Sequence, residues 1–268
     1  MPLVFAGAVL ISGVVGEDAY GEDPALGALF GVLTAVAYTG FILVLREAGR
    51  DLRRPAGPLF EATFVATFVA VNLQRYFGIT GVYVPLVGEW EIGAGAFVVL
   101  AIAAILSTSN AVNLTDGMDG LSGGTLVFAF LSFAFIAAAR GFPWLVVLCA
   151  GIVGALLAFL WFNVHPAEFF MGDTGSLALG AALATVALTT GFVLLLPVVG
   201  VIFVAETLTV ILQVGSFKLR GKRIFRMSPL HNHFELIGWP EEKVTIRFWL
   251  IGALAAIVAA ILAFVTPL

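Results

Sequence analysis

The chain has 268 residues, 61% of them hydrophobic and 11% charged, with a formal net charge of -4 and a mean hydropathy of +1.09; a soluble domain carries about 25% charged residues. So little polar surface excludes a water-soluble globular protein, and long unbroken apolar runs exclude the alternating pattern of a β-barrel. What remains is an all-α, polytopic transmembrane helical bundle, read as one integral-membrane domain over residues 1–268, whose charge has to be resolved loop by loop.

Apolar runs of about 20 residues predict nine helices: roughly 2–16, 25–45, 58–78, 92–112, 120–139, 143–162, 175–191, 193–213 and 246–266. The first run ends in Gly16-Glu17-Asp18 without a charged start or a small-residue cleavage pattern, so it is expected to be retained. Only Gly191 and its neighbours part the seventh run from the eighth, which requires a tight turn or a broken helix. The single Cys149 lies in an apolar run and reads as packing. With the N-terminus inside, the loops after the second, fourth, sixth and eighth helices collect Arg46, Arg50, Arg53, Arg54, Lys218, Arg220, Lys222, Arg223, Arg226, Lys243 and Arg247. Only Arg75 and Arg140 fall elsewhere, while Glu17, Asp18, Glu22, Asp23, Glu89 and Glu91 face out, as the positive-inside rule requires.

That topology sends three polar clusters to one face. The first is Asn110-Ala-Val-Asn113-Leu-Thr-Asp116-Gly117-Met-Asp119-Gly120. Its amides three apart share a helical face, and its glycines let the backbone approach a ligand. The second runs from Asn163 through His165 and Phe170 to Asp173 and Ser176. Asp173 reads either as the cap of the next helix or as a carboxylate holding Mg²⁺ against phosphate oxygens. The third, residues 216–235, is basic and carries His231 and His233, which with His165 are all the histidines. Carboxylates, amides, imidazoles and basic groups at one membrane surface suit Mg²⁺ and a diphosphate donor. The His-x-His spacing lacks the helical or cysteine partners of a zinc site. Glu61 and Glu206 lie inside apolar runs, where each reads as functional or as a structural hydrogen bond. A transporter is the competing class, but its charges would gather near mid-membrane at broken helices.

The stretches Asn110–Gly120, Phe170–Leu177, Gly221–Glu235 and Gly238–Trp249 resemble motifs of the phospho-N-acetylmuramoyl-pentapeptide transferase (MraY) family, within the polyprenyl-phosphate sugar-phosphate transferases. The resemblance implies transfer of phospho-MurNAc-pentapeptide from UDP-MurNAc-pentapeptide to undecaprenyl phosphate with Mg²⁺, in peptidoglycan synthesis at the bacterial inner membrane. Membrane lipids and a homodimer are further expected partners, and nucleic acid is not. It implies Asp116, Asp173 and His231 as catalytic, with Asp173 as metal ligand. Asn113, Gly117, Asp119, Asn163, Phe170, Gln213 and His233 are then substrate-binding. The family's ten helices place one helix and a cytoplasmic loop ahead of Met1. Where the family runs Gly-Phe-(Leu/Ile)-Asp-Asp-x-x-Lys, this chain has Gly40-Phe41-Ile42-Leu43-Val44-Leu45-Arg46-Glu47, and its histidine loop is His231-Asn232-His233. A homologue that binds donor or lipid with impaired turnover, or a related polyprenyl-phosphate sugar-phosphate transferase, is the alternative reading.

Overall fold

The computed structural model describes residues 56–267, with side chains described from residue 62 onward. The chain divides into two compact units, 1–65 and 66–268, and the site lies wholly in the second. The predicted runs 2–16 and 25–45, the Gly40–Glu47 stretch and the side chain of Glu61 lie outside the described residues. The helices are α1 (Ala56–Phe77), α2 (Ala94–Thr115), α3 (Leu121–Ala139), α4 (Pro143–Asn163), α5 (Gly172–Thr189), α6 (Leu196–Val199), α7 (Val201–Arg220), α8 (Leu230–Leu236) and α9 (Glu241–Val265). A 3₁₀ turn at Val193–Leu195 precedes α6. Five of them, α2, α3, α4, α7 and α9, are long and apolar enough to cross a membrane. This is a multi-pass membrane bundle.

Two features depart from the expected runs and loops. Residues 80–91, expected as a plain loop, contain an antiparallel hairpin of β1 (Gly81–Val84) and β2 (Gly88–Glu91), with Tyr83 opposite Glu89. The predicted run 193–213 is broken, because Pro197 supplies no N–H and the chain turns again at Gly200, so the long helix begins only at Val201 and continues to Arg220. A tight turn at Gly191, with φ of +80°, separates it from α5.

α5 is less apolar than its neighbours, since its alanines, glycines and threonines pack on helices instead of lipid. A Cβ on Gly180 would lie 2.7 Å from Ser109 Cα, and Ser109 Oγ donates to Leu177 O at 2.8 Å. Close approach through small residues is how helices associate where lipid is as apolar as leucine. Buried Phe97, Phe130, Phe133 and Phe192 fill the core. Trp161, Leu219 and Phe264 are each more than 80% exposed. In water such side chains would be a liability, whereas lipid is their solvent.

The long helices α2, α3, α4, α5, α7 and α9 alternate in direction, so the C-terminal ends of α2, α4 and α7 meet the N-terminal ends of α3, α5 and α9. All three polar clusters therefore share one end. The opposite end holds the hairpin, tied down by Tyr83 N–H donating to Gly191 O at 2.9 Å and Leu86 N–H donating to Thr266 Oγ1 at 3.0 Å.

Candidate active site

The last turn of α2 closes with Asp116 N–H donating to Asn113 O, which leaves the Asn113 and Asp116 side chains at the helix end. Facing them, α5 starts at Gly172 with φ of +68°, a conformation that favours glycine, and this places Asp173 in its first turn. Asn113 Nδ2 bridges the two loops, donating to Asp173 Oδ1 and to Ser176 Oγ, each at 2.9 Å. Ser176 Oγ in turn donates to Gly172 O. Asp173 is exposed. Burial pushes the Asp116 carboxyl up to about 6; a backbone hydrogen bond from Gly172 opposes this and the nearby Asp173 charge adds to it. Among the described residues neither carboxylate forms an ion pair with a lysine, arginine or histidine. Two adjacent carboxylates without a protein cation, one of them held toward its neutral form, suit a divalent cation with oxygen ligands.

The histidine loop reaches the same place from the other side. Glu206, fully buried in α7, accepts from Leu230 N–H at 2.6 Å and from His231 N–H at 3.2 Å. Those are two of the unpaired N–H groups that open α8. The carboxylate also lies 3.2 Å from His231 Nδ1 without the alignment of a hydrogen bond. His231 is buried, and a Cβ on Gly117 would come within 2.7 Å of its Nε2, so the imidazole sits directly against the 116–119 turn.

The other expected contacts divide by role. Asp119 does not face Asp173 but accepts from His165 Nδ1 at 3.0 Å and from Ala167 N–H at 2.9 Å, while its own N–H donates to Glu241 Oε1 at 2.8 Å. Asp119, His165 and Glu241 each offer a ligand atom within 4.8 Å of the others, a second group that could hold a metal. Asp119 Oδ2 and Glu241 Oε1, however, already accept from this chain's own donors. Asn163 is buried, taking Gly120 N–H and donating to Phe169 O, so it locks α4 onto the start of α3. Gln213 accepts from Ile224 and Phe225 N–H and donates to Phe225 O, which spends its amide on the 221–229 loop. His233 Nδ1 accepts from Arg226 N–H, and the Arg226 guanidinium holds Leu236 O. Phe170 is exposed, and so are Lys218, Arg220, Lys222 and Arg223. Ser176 and Glu241 complete the network without having been assigned a role, and Glu206, open between a functional role and a structural hydrogen bond, accepts from the backbone of α8. The signals were a hydroxyl three residues after Asp173, a lone acid in an apolar run and an acidic first turn after Pro240.

The sequence model of the family described as "Glycosyl transferase family 4" matches residues 28–191. A phospho-N-acetylmuramoyl-pentapeptide-transferase of Leptospira biflexa is 52% identical over 207 residues, covering 70% of this chain and 56% of its own length. The one from Heliobacterium modesticaldum is 52% identical over 250 residues, covering 91% and 77%, and that from Shouchella clausii is 44% identical over 251 residues, covering 91% and 76%. The chain belongs to the phospho-N-acetylmuramoyl-pentapeptide transferase family. It spans little more than half the length of the Leptospira relative. The Asn113 bridge joins two loops that both lie within residues 28–191, the stretch matched by the family model.

Proposed function

We propose that the protein transfers phospho-MurNAc-pentapeptide from UDP-MurNAc-pentapeptide to undecaprenyl phosphate, releasing UMP, with Mg²⁺ and with its active site on the cytoplasmic face of the bacterial inner membrane. The observation that supports this most is the Asn113 bridge, which brings Asp116 and Asp173 to the end that also carries the basic loop and His231. An acceptor phosphate is anionic at neutral pH, so it needs positioning and charge neutralisation more than a strong base. Its oxygen bonds to the sugar-bearing phosphorus of the donor while the bond from that phosphorus to the bridging oxygen breaks, and UMP leaves with the electron pair. Asp173 and Asp116 would hold Mg²⁺, which supplies charge neutralisation at the diphosphate when bound. Asn113 keeps the Asp173 carboxylate oriented, and His231 borders the same pocket from the side of Gly117. Exposed Lys218, Arg220, Lys222 and Arg223 attract the anionic donor. Phe170 offers an aromatic face to the nucleoside. Asn163, Gln213 and His233 act by shaping the loops around the site, and Asp119 by fixing the 116–120 turn.

The test is UMP release from the donor by the purified full chain, with and without undecaprenyl phosphate and Mg²⁺. UMP should form only when acceptor and metal are both present; donor binding without release under any condition would favour the impaired homologue. Because Leu43, Val44 and Glu47 replace the acidic pair and lysine of the family pattern, Leu43→Asp with Val44→Asp and Glu47→Lys should raise the rate.

A further inference from the structure

Arg140 is one of two basic residues outside the basic-rich loops, and it sits at the end of the bundle opposite the motifs, where α3 gives way to α4. Its guanidinium lies over the Tyr83 ring at 4.3 Å and 6.0 Å from the Phe192 ring, and Nη2 donates to Tyr83 OH at 2.9 Å. The Tyr83 hydroxyl in turn donates to Glu89 Oε2 at 3.3 Å, so this acid reaches Arg140 only through a phenol. Among the described residues no carboxylate forms an ion pair with Arg140, and its Nε, shielded from solvent, has no hydrogen-bond partner. A cation in that setting retains capacity for an anion, which a guanidinium binds in forked geometry. Beside it opens a cleft walled by Ile136, Ala139, Phe192, Ala263 and Phe264, apolar except for Arg140 itself. The nearby Trp144, half exposed and stacked on Phe77 at 5.7 Å, is an aromatic of the kind that marks a membrane–water boundary. A charge at that depth next to an apolar wall has the chemistry of a phosphate headgroup with its acyl chain attached.

We propose that this cleft binds an anionic membrane phospholipid, its phosphate on the Arg140 guanidinium and an acyl chain against Ala139, Ala263 and Phe264. The inference is independent of the transfer reaction, since the site lies at the other end of the bundle. The test is native mass spectrometry of the purified full chain with equal amounts of phosphatidylglycerol and phosphatidylcholine. Phosphatidylglycerol should be retained about fivefold over phosphatidylcholine, matching the roughly 1 kcal/mol that one basic residue gains against anionic lipid. Arg140→Lys, which keeps the charge, should retain part of this preference and Arg140→Gln should lose it. Because Arg140→Gln also disturbs the Tyr83 cage, Ala139→Leu is the second variant. It leaves the guanidinium in place, narrows the apolar wall and should lower retention of phosphatidylglycerol. Equal retention of the two lipids by the unsubstituted protein, an unchanged preference in Arg140→Gln, or undiminished retention of phosphatidylglycerol by Ala139→Leu would each overturn the proposal.

Discussion

Asp116 gives the site a pH dependence. The Asp116 carboxyl, raised by burial from 3.8 to about 6, must ionise to hold a cation. Donor binding at limiting Mg²⁺ should therefore fall as pH drops through about 6, and saturating Mg²⁺ should move that limb lower, because metal and proton compete for one group. Without metal, the raised carboxyl makes the folded state bind more protons than the unfolded chain between pH 3.8 and about 6. Stability should then decline as pH rises across that window, and Asp116→Asn should remove the dependence in thermal melting. The motif residues themselves were legible in the sequence, down to the amide three residues before Asp116. What could not be read was which amides point at ligand and which at backbone. Asn163 and Gln213 look like binding groups in one dimension, yet each has both ends of its amide bonded within the protein.

At the scale of elements, one indole and one carboxylate set the site's frame. Trp249 of α9 lies across Gly124 so closely that a Cβ there would overlap the ring, and its Nε1 donates to Gly120 O at 3.1 Å. The ring is thereby pinned, so Gly124→Ala forces helices apart. A loss of about 1–3 kcal/mol is expected from overpacking, reduced by alanine's better helix propensity, and denaturation in detergent measures it. Glu206→Leu leaves the N–H groups of Leu230 and His231 without their buried acceptor, a penalty of about 1–3 kcal/mol per group. Faster proteolysis within residues 221–236 is the expected result, while Glu206→Gln, which keeps one acceptor, should be milder; equal cleavage of all three proteins would assign the loop's order to other contacts. Helices α2, α3, α4 and α9 were visible as apolar runs because lipid demands length and apolarity together. The hairpin was hidden, since four-residue strands with Tyr83 inward and charged Glu89 opposite carry too short a pattern to separate from a loop. The break at Gly200 was masked by apolar residues on both sides, where only Pro197 hinted at it.

For the molecule as a whole, the alternation of helices explains why motifs far apart in sequence share one end, and charge asymmetry predicts which end that is. Single cysteines introduced at exposed Lys222 and Val87, in a Cys149→Ser background, should be labelled by an impermeant reagent from opposite sides of sealed vesicles. Labelling of both from one side would contradict the bundle. On the proposed function, Asp116 and Asp173, joined by Asn113, form the cation and phosphate site of a transferase. Asp173 makes no side-chain cap at the start of α5, so Asp173→Asn keeps the shape of the side chain and removes only the charge that a divalent ion needs. The direct measurement is Mg²⁺-dependent UMP release by the unsubstituted protein and by Asp173→Asn, with melting curves confirming that both are folded. If the site acts as proposed, the first releases UMP and the second loses at least about a hundredfold, the order seen when an electrostatic stabiliser of a transition state is removed. Full activity in a folded Asp173→Asn protein would contradict it and return Asp173 to the role of a helix-terminal residue.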